Sequence, residues 1–175
     1  MKKEKYARNR VASIRIEPYL AEYARKKFEI DPKTGGIKIP DSFDLYHCVW
    51  QLMERRPKDA VLPEDPNLTI WLPSRRAIDG LPGKHPEHWN YLSPRSARLI
   101  AKSLRGIFNM ELHHYCSELV RCGMGKKEAV GHFISKYGLG LDCEDALLKN
   151  LQRHERAVRL FLGIKKRKKR KNTHF

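Results

Sequence analysis

Apolar and polar residues alternate briefly in Val11-Ala12-Ser13-Ile14-Arg15-Ile16, a period of two that predicts a short strand. From Pro18 the period lengthens. Tyr19, Leu20, Tyr23, Ala24 and Phe28 fall on one side of a helix that the proline is suited to start. The cluster Asp31-Pro32-Lys33-Thr34-Gly35-Gly36 reads as a turn, and Gly36 to Pro40 as a second short strand. Asp41 or Ser42 is then the N-cap of a helix running to about Arg56, where Pro57 stops it. Leu45, Val49, Leu52 and Met53 form its inner stripe, with Trp50 adjoining. Leu68 to Leu72 predicts a third strand. Pro73 to Leu92 reads as a loop rich in Pro, Gly, His and Arg, long enough to suggest a functional surface or an element the pattern conceals.

Beyond Ser93 the period is helical throughout. Ser93-Pro94 supplies an N-cap followed by proline at the first helical position. Ala97, Ile100, Leu104, Ile107, Phe108, Leu112, Tyr115 and Leu119 keep one stripe until Gly123. A second helix spans Lys126 to Tyr137, with Ala129, Val130, Phe133, Ile134 and Tyr137 inward and Gly138 as its stop. Asp142 caps a last helix through Leu162, with Leu147, Leu148, Leu151, Val158 and Phe161 inward. The expected fold class is α+β. A small N-terminal part has three short strands and two helices, and an α-helical C-terminal part has a helix-turn-helix-like arrangement and a disordered basic tail. The divisions are a basic arm (1–10), the α+β part (11–75), a loop (76–92), the helical part (93–163) and the tail (164–175).

Charge adds what the pattern does not supply. The chain of 175 residues carries a formal charge of +16, from 36 Lys+Arg against 20 Asp+Glu. Lys165-Lys166-Arg167-Lys168-Lys169-Arg170-Lys171 is an unbroken cationic run, and residues 1–10 add a net +4. Basic ends of this kind favour a polyanion, because each neutralised phosphate releases condensed counterions. Solubility alone is the bland alternative. An anionic membrane is a weaker candidate, since no lipidation signal or apolar run of spanning length accompanies the cations. The charged N-terminus has no apolar stretch after it, so it does not read as a secretory signal. Cys48, Cys116, Cys122 and Cys143 are widely spaced with no C-x-x-C pair, which fits reduced thiols in a cytoplasmic protein.

The stretch from Gly125 to Leu160 carries the most specific chemistry. A short amphipathic helix, a tight connection through Gly138-Leu139-Gly140-Leu141 and a second helix have the organisation of a helix-turn-helix. The second helix offers Lys149, Asn150, Gln152, Arg153, Arg156 and Arg159. Asn and Gln can bond adenine in a bidentate way and Arg can do so with guanine, while cations further along reach phosphates. Glu144 and Asp145 suit the helix dipole in the first turn, but they repel DNA where such helices often read bases. An ordinary helical hairpin with a solvated basic face is the competing reading. The opening strand and helix also suggest a ribbon-helix-helix unit, in which Ser13 and Arg15 would face DNA in a dimer, though the Gly36–Pro40 strand is foreign to that plan.

Other constellations are weaker. His85-Pro86-Glu87-His88 and His113-His114-Tyr115-Cys116 gather ligand-type residues without zinc-finger spacing, so no metal and no cofactor are expected. Nucleotide-binding loops and hydrolase signatures are absent from the sequence, which makes an enzyme such as a nuclease an alternative only. Trp71, Trp89 and Tyr91, near Arg75-Arg76, offer rings that could stack on unpaired bases, the basis of a single-stranded DNA or RNA-binding alternative. Such aromatics more often anchor cores or loops.

Two segments carry a resemblance. Gly35-Gly36-Ile37-Lys38-Ile39-Pro40 leads into Leu45-Tyr46-His47-Cys48-Val49, and Lys136-Tyr137-Gly138 leads into Glu144-Asp145-Ala146-Leu147-Leu148-Lys149-Asn150. They resemble small basic proteins carried by phages and mobile elements of Bacteroidetes-type bacteria. The resemblance implies a mobile-element setting on the bacterial nucleoid and no catalytic residue; the lysine-rich tail is not part of it. The expectation is a DNA-binding transcriptional regulator or accessory factor, compatible with a homodimer. A protein-interaction module with a solubilising tail is a further alternative.

Overall fold

The computed structural model describes residues 10–74 and 83–163. Its first strand, β1 (Val11–Ile14), buries Ala12 and Ile14 as the alternation requires. Helix α1 (Pro18–Lys27) follows, with Leu20, Ala21, Tyr23 and Ala24 buried. Strands β2 (Glu29–Ile30) and β3 (Ile37–Lys38) come next, then α2 (Asp44–Leu52) and β4 (Leu68–Trp71). The helical part contains α3 (Pro94–Arg121), α4 (Lys126–Tyr137), a 3-10 turn (Leu141–Cys143) and α5 (Glu144–Phe161). The fold is mixed α+β.

The strands form one four-stranded sheet in the order β1-β4-β3-β2, rather than the three strands expected. β1 and β4 are antiparallel, β4 and β3 parallel, and β3 and β2 antiparallel. The additional strand, β2, was hidden because it has two residues, both exposed, and so leaves no periodicity. It is held by the turn after it. The Asp31 carboxylate accepts from the Thr34 N–H (3.0 Å) and hydroxyl (2.9 Å), and Gly35 takes a positive φ of 67° there. Glycine suits that position because it has no Cβ to clash.

Helix α2 is shorter at both ends than its pattern predicts. Its N-cap is Phe43, without a side-chain cap, rather than Asp41 or Ser42. It ends at Leu52 because the chain is diverted before Pro57. Glu54 bridges to Tyr91, with N–H···O distances of 3.0 and 3.2 Å, and the Lys84 ammonium donates to the Gln51 and Met53 carbonyls at 2.6 and 2.9 Å. Both partners lie more than thirty residues on, outside any local window.

The long helices follow their local signals closely. Ser93 accepts from the Ser96 N–H and Pro94 opens α3. Gly138 terminates α4 in the left-handed region, and the Leu139 N–H bonds the Ile134 carbonyl at 3.0 Å. The start of α5 differs, because Asp142 lies inside the 3-10 turn and makes no side-chain cap. A continuous hydrophobic core joins the sheet, α1, α2, α3, α4 and the first half of α5. Tyr23 of α1 stands edge-on to Phe108 of α3 at 5.0 Å, and Phe108 stands edge-on to Phe133 of α4 at 5.5 Å. No helix among the described residues is long and apolar enough to cross a membrane.

Candidate nucleic-acid interface

Helix α5 is amphipathic, but its two halves have different surroundings. In the first half Leu147 and Leu151 are buried against the bundle. In the second half Val158 and Phe161, expected to face inward, are 40% and 89% exposed. Their period is correct for a core stripe; the bundle under it ends first. The last turns of α5 therefore project past their packing partners.

Lys149, Gln152, Arg153, Arg156 and Arg159 are all exposed. Steps of three and four residues place them on one face, opposite Leu147 and Leu151. None of the four cations on this face makes an ion pair among the described residues. Two nearby acids are engaged elsewhere, Glu155 with Lys126 and Glu144 at 3.4 Å from Lys127, whereas Asp145 is exposed one turn before Lys149 on the same face. Both pairs also tie α5 to α4. With four cations against Asp145, the face keeps a net positive charge directed outward. The tail residues Lys165, Lys166, Arg167, Lys168, Lys169, Arg170 and Lys171 lie outside the described residues, as do Arg75 and Arg76.

Asn150 belongs to the other side. Its Oδ1 accepts from the His113 Nε2–H at 2.8 Å, and its Nδ2 donates to Asn109 Oδ1 at 3.0 Å. His154, one turn on, stacks on His113 with centroids 3.8 Å apart and planes 9° from parallel. Asn150 thus docks α5 on α3 and is not presented to a base edge. Sequence reasoning missed this polar clasp. Its signal was present in two pairs of polar residues four apart, Asn109 with His113 and Asn150 with His154, each beside an apolar stripe.

The clasp is expected to weaken in acid. Burial holds the His113 proton affinity below that of ordinary imidazole, and His154 adds to this against the pull of the Asn150 hydrogen bond. Asn150 bonds the ring and His154 stacks on it, and the unfolded chain binds the proton more readily than this site does. The stabilisation is therefore present above the usual histidine range and lost as pH falls through it. Thermal unfolding and amide exchange in α5 should weaken from pH ~7 to ~5. His113→Gln should flatten that dependence; an unchanged slope would remove His113 as its source.

The remaining candidate residues are occupied by the fold. Tyr91 is 7% exposed, and its hydroxyl donates to the Val61 carbonyl at 3.1 Å. Arg55 and Lys84 sit over the Trp89 ring at 5.3 and 5.1 Å, and Arg10 and Lys38 over Trp71 at 5.2 and 5.6 Å. A base stacking on either ring would have to displace cations already there. His85 Nδ1 accepts from the Glu87 N–H at 3.4 Å in a local turn. Cys116 is buried in the core, which pushes its thiol up to about 11. Among the described residues no group of three or more His, Cys, Asp or Glu could hold a metal ion. Ser13 bonds Thr69 at 3.0 Å across β1 and β4, so one edge of β1 is paired within its own chain and the Ser13 hydroxyl is engaged there.

Comparison with protein-family models, characterised proteins and solved structures finds no match.

Proposed function

We propose that this chain is a non-enzymatic DNA-binding protein, a regulator or accessory factor of a bacterial phage or mobile element, that applies the outer face of α5 to duplex DNA. The carrying observation is the row Lys149, Gln152, Arg153, Arg156 and Arg159, exposed on one helix face with its cations free of ion pairs among the described residues. In this reading α4 and α5 act as a helix-turn-helix-like pair. Lys149, Gln152, Arg153 and Arg156 enter the major groove, while Arg159 and the cationic run after Gly163 contact phosphates. Asn150 is withdrawn from the reading set, because its amide holds α5 to α3.

Selection of bound fragments from random duplex DNA tests the proposal, followed by titration of the enriched site and of single strands across salt concentrations. Arg153→Ala should weaken the preferred site by ~1–3 kcal/mol and change unrelated duplexes less. Asn150→Ala should lower stability without changing the preferred motif. No duplex binding at low salt would reject the reading, and equal loss on all sequences for Arg153→Ala would reduce α5 to a phosphate contact.

A further inference from the structure

Among the described residues the sheet ends at β1, which pairs only with β4. The Arg10 carbonyl accepts from the Leu72 N–H at 2.7 Å and the Ile14 carbonyl from the Asn67 N–H at 3.1 Å, so these residues turn their backbone groups toward β4. Successive residues of an antiparallel strand alternate sides, which directs the N–H and C=O groups of Val11 and Ser13 away from β4. Among the described residues no backbone group meets them there. An open edge of this kind is a template for another extended backbone.

Against β1 lies a pocket of about 240 Å³, whose lining includes Ser13 and Ile14 of the strand together with Val61, Leu62, Leu92 and Ala97. It is smaller than the roughly 300–1,000 Å³ of sites for drug-sized ligands, and suits one or two aliphatic side chains. Val61 and Leu62 are 64% and 58% exposed although they wall an apolar pocket. Their segment is fixed in place, because the Val61 carbonyl is held by the buried Tyr91 hydroxyl. Arg15 and Arg98 also line the pocket. Arg15 is held at the Glu64 and Asp65 carbonyls, whereas Arg98 is exposed and makes no ion pair among the described residues.

Together these features point to a single kind of occupant. We propose that the β1 edge docks an extended segment of a partner protein as an added strand. Aliphatic side chains at alternate positions would fill the pocket, and an Asp or Glu would meet Arg98. Backbone pairing would supply register, and the pocket and cation would supply specificity. A second copy of this edge fits less well, since it would bring Arg10, Arg15 and Arg98 against an equally basic rim. The site is separate from α5 and does not rest on the DNA-binding reading.

The test selects a displayed library of short linear peptides on the full-length protein, and on its Arg98→Glu and Leu62→Asp variants. Both substitutions are at exposed positions, and circular dichroism checks that the variants fold. Enriched peptides should alternate aliphatic residues, carry a flanking acid and bind the unmodified protein about tenfold more tightly than either variant. Methylation of the peptide nitrogens that face β1 should abolish binding, which loss of side-chain packing alone would not do. Absence of enrichment, or binding to both variants as tight as to the unmodified protein, would overturn the proposal. So would a dimer that Leu62→Asp dissociates, or affinity that appears only when residues 75–82 are replaced by a Gly/Ser linker, meaning that the chain covers its own edge.

Discussion

Replacing Glu111 by alanine is expected to cost the fold about 3 kcal/mol, a large part of the roughly 5–15 kcal/mol that holds a typical domain together. Glu111 sits on α3 where three elements converge. Its carboxylate accepts from the Tyr23 hydroxyl and the Lys27 ammonium, both at 2.5 Å, and from the Tyr137 hydroxyl. Lys136 adds a more distant charge at 3.9 Å. Burial works against the ionised form, but the bonds from Lys27, Tyr137 and Tyr23 outweigh it and lower the acid's proton affinity. The same contacts, after burial itself, raise the proton affinity of both phenols. Alanine leaves two phenol donors and an ammonium without their acceptor, and Tyr23 has no exposure to water. The low end of the ~3–5 kcal/mol range for breaking a buried pair applies, because the carboxylate side chain remains 22% exposed. Glu111→Gln keeps an acceptor and should recover part of the loss. Since the acid's affinity is depressed on folding, its contribution is present above the ordinary carboxylate range and fades as pH falls through and below it. Urea unfolding read by tryptophan fluorescence measures the difference; a change under ~1 kcal/mol for alanine would reduce these bonds to incidental contacts.

Glu111 also illustrates which features were legible in the chain. Local signals placed β1, β4, α3 and α4 closely, because a period of two, the Ser93-Pro94 cap and the Gly138 stop are properties of neighbouring residues. Features set by distant partners were not legible. The early end of α2 depends on Tyr91 and Lys84, and the role of Glu111 on tyrosines from α1 and α4. Residue type misled at Asn150, which reads as solvent-facing and instead docks a helix. At Val158 and Phe161 the period correctly gave the apolar face of α5, but a period carries no information about where the packing partner ends. The exposed basic face was legible for the complementary reason. Cations at helical spacing opposite Leu147 and Leu151 have no burial to compete with, so the pattern alone fixes their direction.

The basic face and the basic tail should separate in their response to salt. On the DNA-binding reading, the triple change Arg153→Gln, Arg156→Gln, Arg159→Gln removes three cations from the outer side of α5 without touching its packed side. The slope of log K against log[salt] becomes shallower by about 0.9 if Arg159 alone neutralises a phosphate, and by up to about 2.7 if the two groove arginines also do. The fall in affinity between about 50 and 200 mM salt would then be roughly 3- to 40-fold smaller than for the unmodified protein. Deleting residues 164–175 removes seven consecutive cations and should act more strongly, reducing the slope by up to about 6. The two effects also differ in kind. The deletion should weaken all duplexes alike, because a cationic run bonds phosphates and carries no base-edge pattern. The triple change should additionally narrow the gap between preferred and unrelated sites, because Arg153 and Arg156 are assigned to bases. Titration of both variants on one enriched site and one unrelated duplex distinguishes the outcomes. A flat gap combined with a reduced slope would leave a general phosphate binder. An unchanged slope in both variants would mean that neither surface touches DNA.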